Sequence, residues 1–198
     1  MMQKTLSKEI SFKGNALHTG EVVKVDLIPS AENTGIIFVR EDLENAEIPA
    51  LVKYVNRTDR QTILENGEAS VGTVEHLMAS LYALGIDNLR IELDGSEVPI
   101  LDGSAAPLVD LILEAGIEEQ SVEKNFYVLE ETFTFKDEDG SEIMALPSEE
   151  FEVSALIDYG SSVLGPQHAH LDKMVNFRDE IASARTFSFL RELEPLLD

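Results

Sequence analysis

The chain has 198 residues, 38 acidic and 15 basic side chains that give a formal net charge of −23 at pH 7, and no cysteine. This charge argues against binding to the phosphate backbone of nucleic acids, and the missing cysteine excludes disulfides and thiolate metal ligands. No apolar run approaches the ~18 residues of a transmembrane helix, and the first residues lack the apolar core of a signal peptide, so we expect a cytoplasmic protein without a transmembrane segment.

The first part of the chain, residues 5–40, has the pattern of β-strands. Apolar residues alternate with polar ones at Val23, Val25 and Leu27. A turn flanked by Gly14 and Gly20 precedes this run, and it contains His18. Because glycines let a loop approach a partner closely, His18 is either a ligand or substrate contact or simply an exposed loop histidine.

A helix that carries an acid beside a histidine follows a mixed stretch at residues 48–64. Apolar residues recur at helical spacing at Val74, Leu77, Met78, Leu81 and Leu84. Glu75 and His76 then lie in the first turn, and Gly85 ends the helix. A neutral imidazole can bind zinc while a carboxylate moves a proton on metal-bound water, which would make a hydrolase centre. The simpler interpretation is a solvated glutamate beside a partly packed histidine.

A further strand and a second helix complete the first part of the chain. The strand is indicated by alternation at Leu89, Ile91 and Leu93. Ser104 or Asp102 suits the cap of the helix, Pro107 its first turn and Gly116 its end. The buried stripe of this helix is predicted at Leu108, Leu111, Ile112 and Ala115. The first ~120 residues thus supply enough elements for a two-layer α+β domain.

The pattern restarts after residues 117–125, which are polar and acidic and are predicted to be a linker. Strands at residues 126–135 and 142–146 flank a turn sequence at residues 137–140, which predicts a hairpin. A third strand is indicated at residues 151–157. Strands come first and a helix later in both parts of the chain, which suggests two related domains.

Residues 160–176 are predicted to form a loop or small insertion that contains His168 and His170. On a strand these two side chains would share a face and could chelate a metal, whereas on a loop they would more often meet solvent. Further along, the spacing of an apolar helix face is found at Phe189, Leu190, Leu193, Leu196 and Leu197.

Five motifs occur together in this order: Leu17-His18-Thr19-Gly20, Thr73-Val74-Glu75-His76-Leu77-Met78-Ala79, Leu84-Gly85-Ile86-Asp87-Asn88, Val98-Pro99-Ile100-Leu101-Asp102-Gly103-Ser104-Ala105-Ala106-Pro107 and Ala184-Arg185-Thr186-Phe187. Over nearly the whole chain they closely resemble the zinc-dependent UDP-3-O-acyl-N-acetylglucosamine deacetylases of lipid A biosynthesis. The stretch Gly165-Pro166-Gln167-His168-Ala169 is similar to variants that are fused to an acyl-carrier-protein dehydratase.

The resemblance implies an α+β fold of two related domains, residues 1–120 and 121–198, each a sheet with helices on one side. It places the active site between the two packed helix layers. It implies hydrolysis of the N-acetyl group of a UDP-linked 3-O-acyl glucosamine, with Zn²⁺ as cofactor and acetate as product. The roles that it implies are general base for Glu75, zinc ligand for His76, oxyanion contact for Thr186 and substrate contacts for Leu17, His18 and Phe187.

The sequence departs from the family at the metal site. The family's other two zinc ligands, a His and an Asp four residues apart on a late helix, and its second catalytic His have no counterpart here. Because a catalytic zinc usually has three protein ligands, we expect these 198 residues to be the N-terminal portion of a longer deacetylase, with an incomplete second domain and no activity of their own. The alternative is an inactive relative that binds a UDP-sugar or acyl chain, or that has a regulatory role.

The expected partners follow from the same resemblance. We expect a monomer that binds a UDP-linked acylated amino sugar and no nucleic acid. A fused dehydratase domain is one expected arrangement of the full-length protein.

Overall fold

The computed structural model describes residues 1–187 and residue 189. In chain order the described strands are β1 (Met2–Leu6), β2 (Ile10–Asn15), β3 (Val22–Pro29), β4 (Ile36–Arg40), β5 (Ala46–Pro49), β6 (Val55–Arg57), β7 (Ile63–Asn66), β8 (Ala69–Val71), β9 (Leu89–Leu93), β10 (Ile117–Glu123), β11 (Phe133–Lys136), β12 (Glu142–Ala145), β13 (Val153–Ile157) and β14 (Gln167–Leu171). The helices are α1 (Glu75–Leu84), α2 (Ala106–Ala115) and α3 (Phe177–Glu180), with single 3₁₀ turns at Glu41–Leu43, Val52–Tyr54 and Met174–Asn176. The predicted α+β class is confirmed.

The largest sheet has five strands in the order β2-β3-β9-β4-β5. Neighbouring strands are antiparallel except for β4 and β9, which run parallel. Val23, Val25 and Leu27 are buried, as the alternation in β3 predicted, and Lys24 is exposed, whereas the intervening Asp26 is also buried. The buried face of this sheet contributes a large part of the main hydrophobic core, namely Phe12, Val23, Val25, Leu27, Phe38, Ile48, Leu89, Ile91 and Leu93.

Helices α1 and α2 supply the second layer of this core. Leu77 and Leu81 of α1 and Leu108 and Ile112 of α2 are at most 2% exposed and belong to the same cluster as the strand residues. The helical spacing therefore identified the buried faces correctly. Burying side chains of this size contributes about 1.5–3 kcal/mol each, so the two helices are held mainly by packing.

The helix ends differ in how well the sequence predicted them. Gly85 has φ of 72° and ends α1, as expected for a glycine after the last turn. For α2, the cap position is Ala105, with no side-chain cap bond, so the prediction of Ser104 or Asp102 as the cap is wrong. Instead the Ser104 hydroxyl accepts the Ala106 N–H at 3.3 Å, and Asp102 Oδ1 accepts the Ser104 hydroxyl at 2.8 Å, which forms a polar turn in front of the helix.

The segment predicted to be a linker is mainly a strand. β10 pairs antiparallel with β1 at the start of the chain, which corrects the prediction for residues 117–125. Asn88 is hydrogen-bonded to both strands of this pair, since its buried amide donates to Gln3 Oε1 at 2.8 Å and to Gln120 Oε1 at 2.7 Å. The division into two domains at residue 120 stays a prediction.

The predicted hairpin is confirmed as β11 and β12, although its first strand begins at Phe133 and not at residue 126. The third predicted strand is β13. It pairs with β14, so part of residues 160–176 is strand and the prediction of a loop is wrong there. The predicted helix face of Leu190, Leu193, Leu196 and Leu197 lies outside the described residues, and Phe189 is not in a helix.

A second, smaller cluster joins the two parts of the chain. Leu171, Phe177 and Ala182 are at most 8% exposed and pack with Ala105 and Val109 at the beginning of α2. Over the part of the chain that the structure describes, no helix combines the length and apolarity needed to cross a membrane.

Candidate active site

Glu75 and His76 occupy the first turn of α1, as predicted, and both are half-buried. Glu75 Oε2 accepts the backbone N–H of Thr62 at 3.0 Å, which ties the helix start to the segment before β7. Among the described residues, no hydrogen bond is made to Glu75 Oε1. The carboxylate is therefore held at one of its two oxygens.

Thr73, two residues before the helix, has an unusual backbone conformation. Its φ is 55°, in the left-handed region that a β-branched residue rarely adopts, and the residue is 3% exposed. The hydroxyl of Thr73 donates to Glu97 Oε1 at 2.7 Å. Residues in sparsely populated conformations persist only where their surroundings hold them, and they concentrate at functional sites.

Glu97 connects Thr73 with the loop that contains His18. Its carboxylate accepts three successive backbone N–H groups, those of Leu17 at 3.0 Å, His18 at 3.1 Å and Thr19 at 3.0 Å. The side chains of Leu17 and His18 themselves are exposed. The loop is thus fixed by its backbone and presents its side chains outward.

The Glu97 carboxylate is charged although the residue is only 2% exposed. Burial alone raises the pKa of the Glu97 carboxyl, but the hydrogen bonds from the Thr73 hydroxyl and from the His18 and Thr19 N–H groups outweigh it and hold the pKa below its ordinary value. Reasoning from the sequence missed this residue. The available signal was one acidic side chain beside the apolar run Val98-Pro99-Ile100-Leu101.

Thr186 and Phe187 lie beside the polar turn in front of α2. The Thr186 N–H donates to the carbonyl of Gly103 at 2.9 Å, and Arg185 Nη2 contacts Asp102 Oδ2 at 3.1 Å. Gly103 has φ of 83°, a conformation suited to glycine. The backbone contact leaves the Thr186 hydroxyl without a hydrogen-bond partner in the described part of the chain.

Phe187 belongs to an aromatic group. Its ring meets Tyr159 edge to face with centroids 5.0 Å apart, and Phe189 with centroids 5.6 Å apart. These three rings, with Arg185 and Thr186, line a cavity of about 330 Å³. The cavity therefore has an apolar wall beside the hydroxyl of Thr186.

The two histidines of β14 do not join this region. His168 and His170 are exposed, and His170 Nδ1 is hydrogen-bonded to the Ser154 hydroxyl at 2.7 Å on the paired strand. In residues 1–187 and 189, no three or more His, Asp or Glu side chains form a group that could hold a metal ion. His76 is the predicted ligand, but the described donors do not make the three-ligand site that catalytic zinc usually requires.

The predicted site residues thus fall into two groups. Leu17 and His18 are connected to the start of the Glu75–His76 helix through Glu97 and Thr73. Thr186 and Phe187 are attached to the turn before α2, which meets α1 where the Ser80 hydroxyl lies 3.5 Å from the carbonyl of Ala105. No hydrogen bond between described residues joins Thr186 directly to Glu75 or His76.

The sequence is similar to a group of bacterial enzymes. A family model described as "LpxC: UDP-3-O-acyl N-acetylglycosamine deacetylase" matches residues 3–198. The "Bifunctional enzyme LpxC/FabZ" of Bacteroides thetaiotaomicron is 46% identical over 199 residues, which are 100% of this chain and 43% of that protein. The "UDP-3-O-acyl-N-acetylglucosamine deacetylase" of Myxococcus xanthus is 46% identical over 196 residues, 98% of this chain and 62% of that protein. The chain therefore spans less than two thirds of the length of these curated relatives.

Proposed function

The chain belongs to the UDP-3-O-acyl-N-acetylglucosamine deacetylase family, and on that premise we propose that it acts in lipid A biosynthesis, in the hydrolytic deacetylation of a UDP-linked 3-O-acyl-N-acetylglucosamine. The observation that carries the proposal is the environment of Glu75. One of its carboxylate oxygens is fixed by the Thr62 N–H, while the other has no partner among the described residues, and the residue is half-buried at the start of α1.

The proposed reaction needs a base, an oxyanion contact and an acid. The oxygen of a water molecule attacks the acetyl carbonyl carbon while Glu75 accepts one proton of that water. The tetrahedral intermediate then loses its C–N bond, and Glu75 returns the proton to the departing nitrogen. The products are acetate and the free amine.

Thr186 is proposed to contact the oxyanion of the tetrahedral intermediate. Its backbone is anchored to Gly103, so the hydroxyl can turn toward a ligand without breaking a hydrogen bond between described residues. The negative charge on this oxygen develops only during the reaction, so a donor here stabilises the transition state more than the bound substrate. Removal of one such donor costs ~3 kcal/mol in comparable sites.

Substrate contacts are proposed for Leu17, His18 and Phe187. Leu17 and His18 are exposed on a loop whose backbone is fixed, which suits an apolar contact from Leu17 and a polar contact from His18 to the substrate. Phe187 lies in the aromatic wall of the 330 Å³ cavity, which suits the apolar acyl chain.

Zinc enters the proposal only through His76. The family implies a metal, and His76 in the first turn of α1 is the residue of this chain proposed as its ligand. The described residues do not provide a complete zinc ligand set, and the proposed proton transfers use this chain's own side chains.

We also propose a fused dehydratase domain, a cellular location and an oligomeric state for the full-length protein. A fused dehydratase is supported by the bifunctional relatives in Bacteroides thetaiotaomicron and in Chlorobaculum tepidum, the latter 44% identical to this chain over 197 residues. Cytoplasmic location and a monomeric state are proposed with it, and cell fractionation and sedimentation test them.

The test is acetate release by the product of the whole reading frame that contains these residues, with UDP-3-O-acyl-N-acetylglucosamine and zinc. We expect Glu75→Gln to lower kcat by about 10²- to 10⁴-fold. The melting temperature should not change, because the glutamine oxygen can still accept the Thr62 N–H. Glu114→Gln removes the same charge from an exposed position of α2 and is the control. A wild type that releases no acetate, or a Glu75→Gln variant with full activity, would refute the proposal.

A further inference from the structure

Glu97 is a buried carboxylate without a buried cation beside it in the described part of the chain. Four donors compensate its charge: the three successive backbone N–H groups of residues 17–19 and the Thr73 hydroxyl. Successive backbone N–H groups that converge on one anion form a well-known binding arrangement for negative charge. Here the anion is the protein's own side chain.

The backbone of Glu97 is fixed independently of its side chain. Residue 97 forms a parallel bridge with Gly72, whose N–H donates to the carbonyl of Ser96 at 2.9 Å. The Val98 N–H in turn donates to the carbonyl of Gly72 at 3.0 Å. The carboxylate therefore extends from a rigid point between the loop and the turn that begins α1.

The contacts of the carboxylate go to two segments that are far apart in the chain. One is the loop with Leu17 and His18, and the other is Thr73, which precedes Glu75 and His76. An ionised group is disfavoured in a buried position, and a threonine is disfavoured at φ of 55°. Both unfavourable features lie between two parts of the proposed site, the loop of residues 17–19 and the turn that begins α1.

We propose that Glu97 is a positioning residue of the active site, whose carboxylate holds the loop of residues 17–19 against the turn at Thr73. This rests on the proposed function, in which His18 contacts the substrate and Glu75 moves the proton. Through Glu97, these two side chains keep a constant separation, although no hydrogen bond between described residues joins them directly.

Amide hydrogen exchange of this 198-residue chain, measured by NMR, tests the positioning role of Glu97 without a substrate. In Glu97→Gln a carboxamide replaces the carboxylate, and its NH₂ group faces the N–H donors of the loop. We expect the exchange of the Leu17, His18 and Thr19 amides to accelerate by about 10- to 100-fold, with unchanged protection along β3 and β9. Glu47→Gln, at the outer edge of the same sheet, is the control and should leave all of these rates unchanged.

Two exchange results in Glu97→Gln would overturn the proposal. One is wild-type protection of the three amides in Glu97→Gln. The other is an equal loss of protection along β2, β3 and β9, which would show a general loss of stability. If Glu97→Gln does not fold, Thr73→Val decides, because it removes the hydroxyl that lies 2.7 Å from Glu97 Oε1 and 3.2 Å from Gln61 Oε1. This loss should shift the resonances of Glu75 and His76, while Thr73→Ser should restore them. Unshifted resonances in Thr73→Val would also overturn the proposal.

An activity measurement on the product of the whole reading frame adds an independent readout. At a temperature at which the variant is fully folded, Glu97→Gln should lower kcat/KM by about 10²-fold, because a small misplacement of reacting groups has an effect of this size. If the wild type released no acetate, this would count against the proposed function. The amide exchange rates would still test the role of Glu97. An active wild type with unchanged kcat/KM in Glu97→Gln would overturn the positioning role.

Discussion

Thr73 and Glu97 are each unfavourable alone and stabilise one another as a pair. A left-handed conformation costs a non-glycine residue about 1–2 kcal/mol, and a buried ionised carboxylate without partners would cost more. The 2.7 Å hydrogen bond between them, with the three N–H groups of the loop, offsets both. A hydrogen bond to a charged group contributes about 1.5–3 kcal/mol, which is large enough to make the pair stable.

The lowered pKa of Glu97 predicts how acid acts on the loop. Because the carboxyl has a lower pKa in the folded than in the unfolded chain, its stabilising effect is complete above the unfolded value and is lost as the pH falls through the folded value. The side chain of His18 in the loop also favours the ionised form of the Glu97 carboxyl electrostatically. In an NMR titration, the Leu17, His18 and Thr19 amides should shift together with a midpoint below the ordinary glutamate pKa.

Other carboxyl groups with lowered pKa values, such as Asp26 and Asp102, titrate in the same acid range, so the titration needs a control. The concerted shift of the three loop amides should be absent in Glu97→Gln. A midpoint above the ordinary glutamate value in the wild type would contradict the prediction.

The hydroxyl of Thr186 is predicted to matter for turnover and not for folding. Thr186→Val keeps the shape of the side chain and the N–H contact to Gly103, but it removes the donor. We expect kcat of the product of the whole reading frame to fall about 10²-fold, with an unchanged melting temperature. Thr186→Ser should retain kcat within a few-fold of the wild type, and equal loss in both variants would show that the hydroxyl is not the relevant group.

At the scale of elements, the sequence predicted what depends on local periodicity. The buried faces of α1 and α2 and the alternation in β3 and β9 could be recognised because each repeats within a few residues. β10 could not be recognised in this way, because half-buried Ile117, Gln120 and Val122 alternate irregularly with exposed glutamates. Its strand character comes from β1, which lies more than 100 residues earlier in the chain, and no local pattern reports such a pairing.

In the candidate site too, the residues that were predicted belong to a local pattern, and those that were missed depend on distant parts of the chain. Glu75 and His76 were recognised because the motif places them at the start of a periodic helix, and the structure puts them there. Glu97 was missed because its partners are backbone N–H groups some 80 positions away, which leave no mark in the sequence. The anchoring of Thr186 to Gly103 was hidden for the same reason.

Asn88 is predicted to stabilise the contact between the β1–β10 pair and the five-stranded sheet. Besides its two donated bonds to Gln3 and Gln120, its Oδ1 accepts the Gly35 N–H at 2.9 Å. Asn88→Ala would leave buried polar groups without partners, so we expect the free energy of unfolding in urea to fall by about 1–3 kcal/mol. Asn66→Ala removes an exposed amide and should change it by less than about 0.5 kcal/mol. Equal effects of the two variants would contradict the prediction.

At the scale of the whole molecule, the described residues of the second part of the chain contact the first part at α2. The small cluster around Phe177 packs against α2, and two ion pairs, Arg178 with Asp110 and Arg185 with Asp102, lie at its edge. Exposed ion pairs contribute little, typically below about 1 kcal/mol. The placement of Thr186 and Phe187 near the first part of the chain therefore depends on apolar packing at α2 and on the hydrogen bond from the Thr186 N–H to the Gly103 carbonyl.

The donor set of the chain predicts how these 198 residues behave with zinc by themselves. The sequence has four histidines and no cysteine, and the structure gives His76 no second or third metal-binding side chain in its described residues. One imidazole binds zinc weakly compared with the three ligands of a catalytic site. We therefore expect this chain to bind zinc weakly through His76, to lose that binding in His76→Ala but not in His168→Ala, and to release no acetate from the UDP-linked substrate. Calorimetric zinc titration and an acetate assay measure both, and acetate release with stoichiometric zinc would show that the chain completes the site in a way that its described donors do not explain.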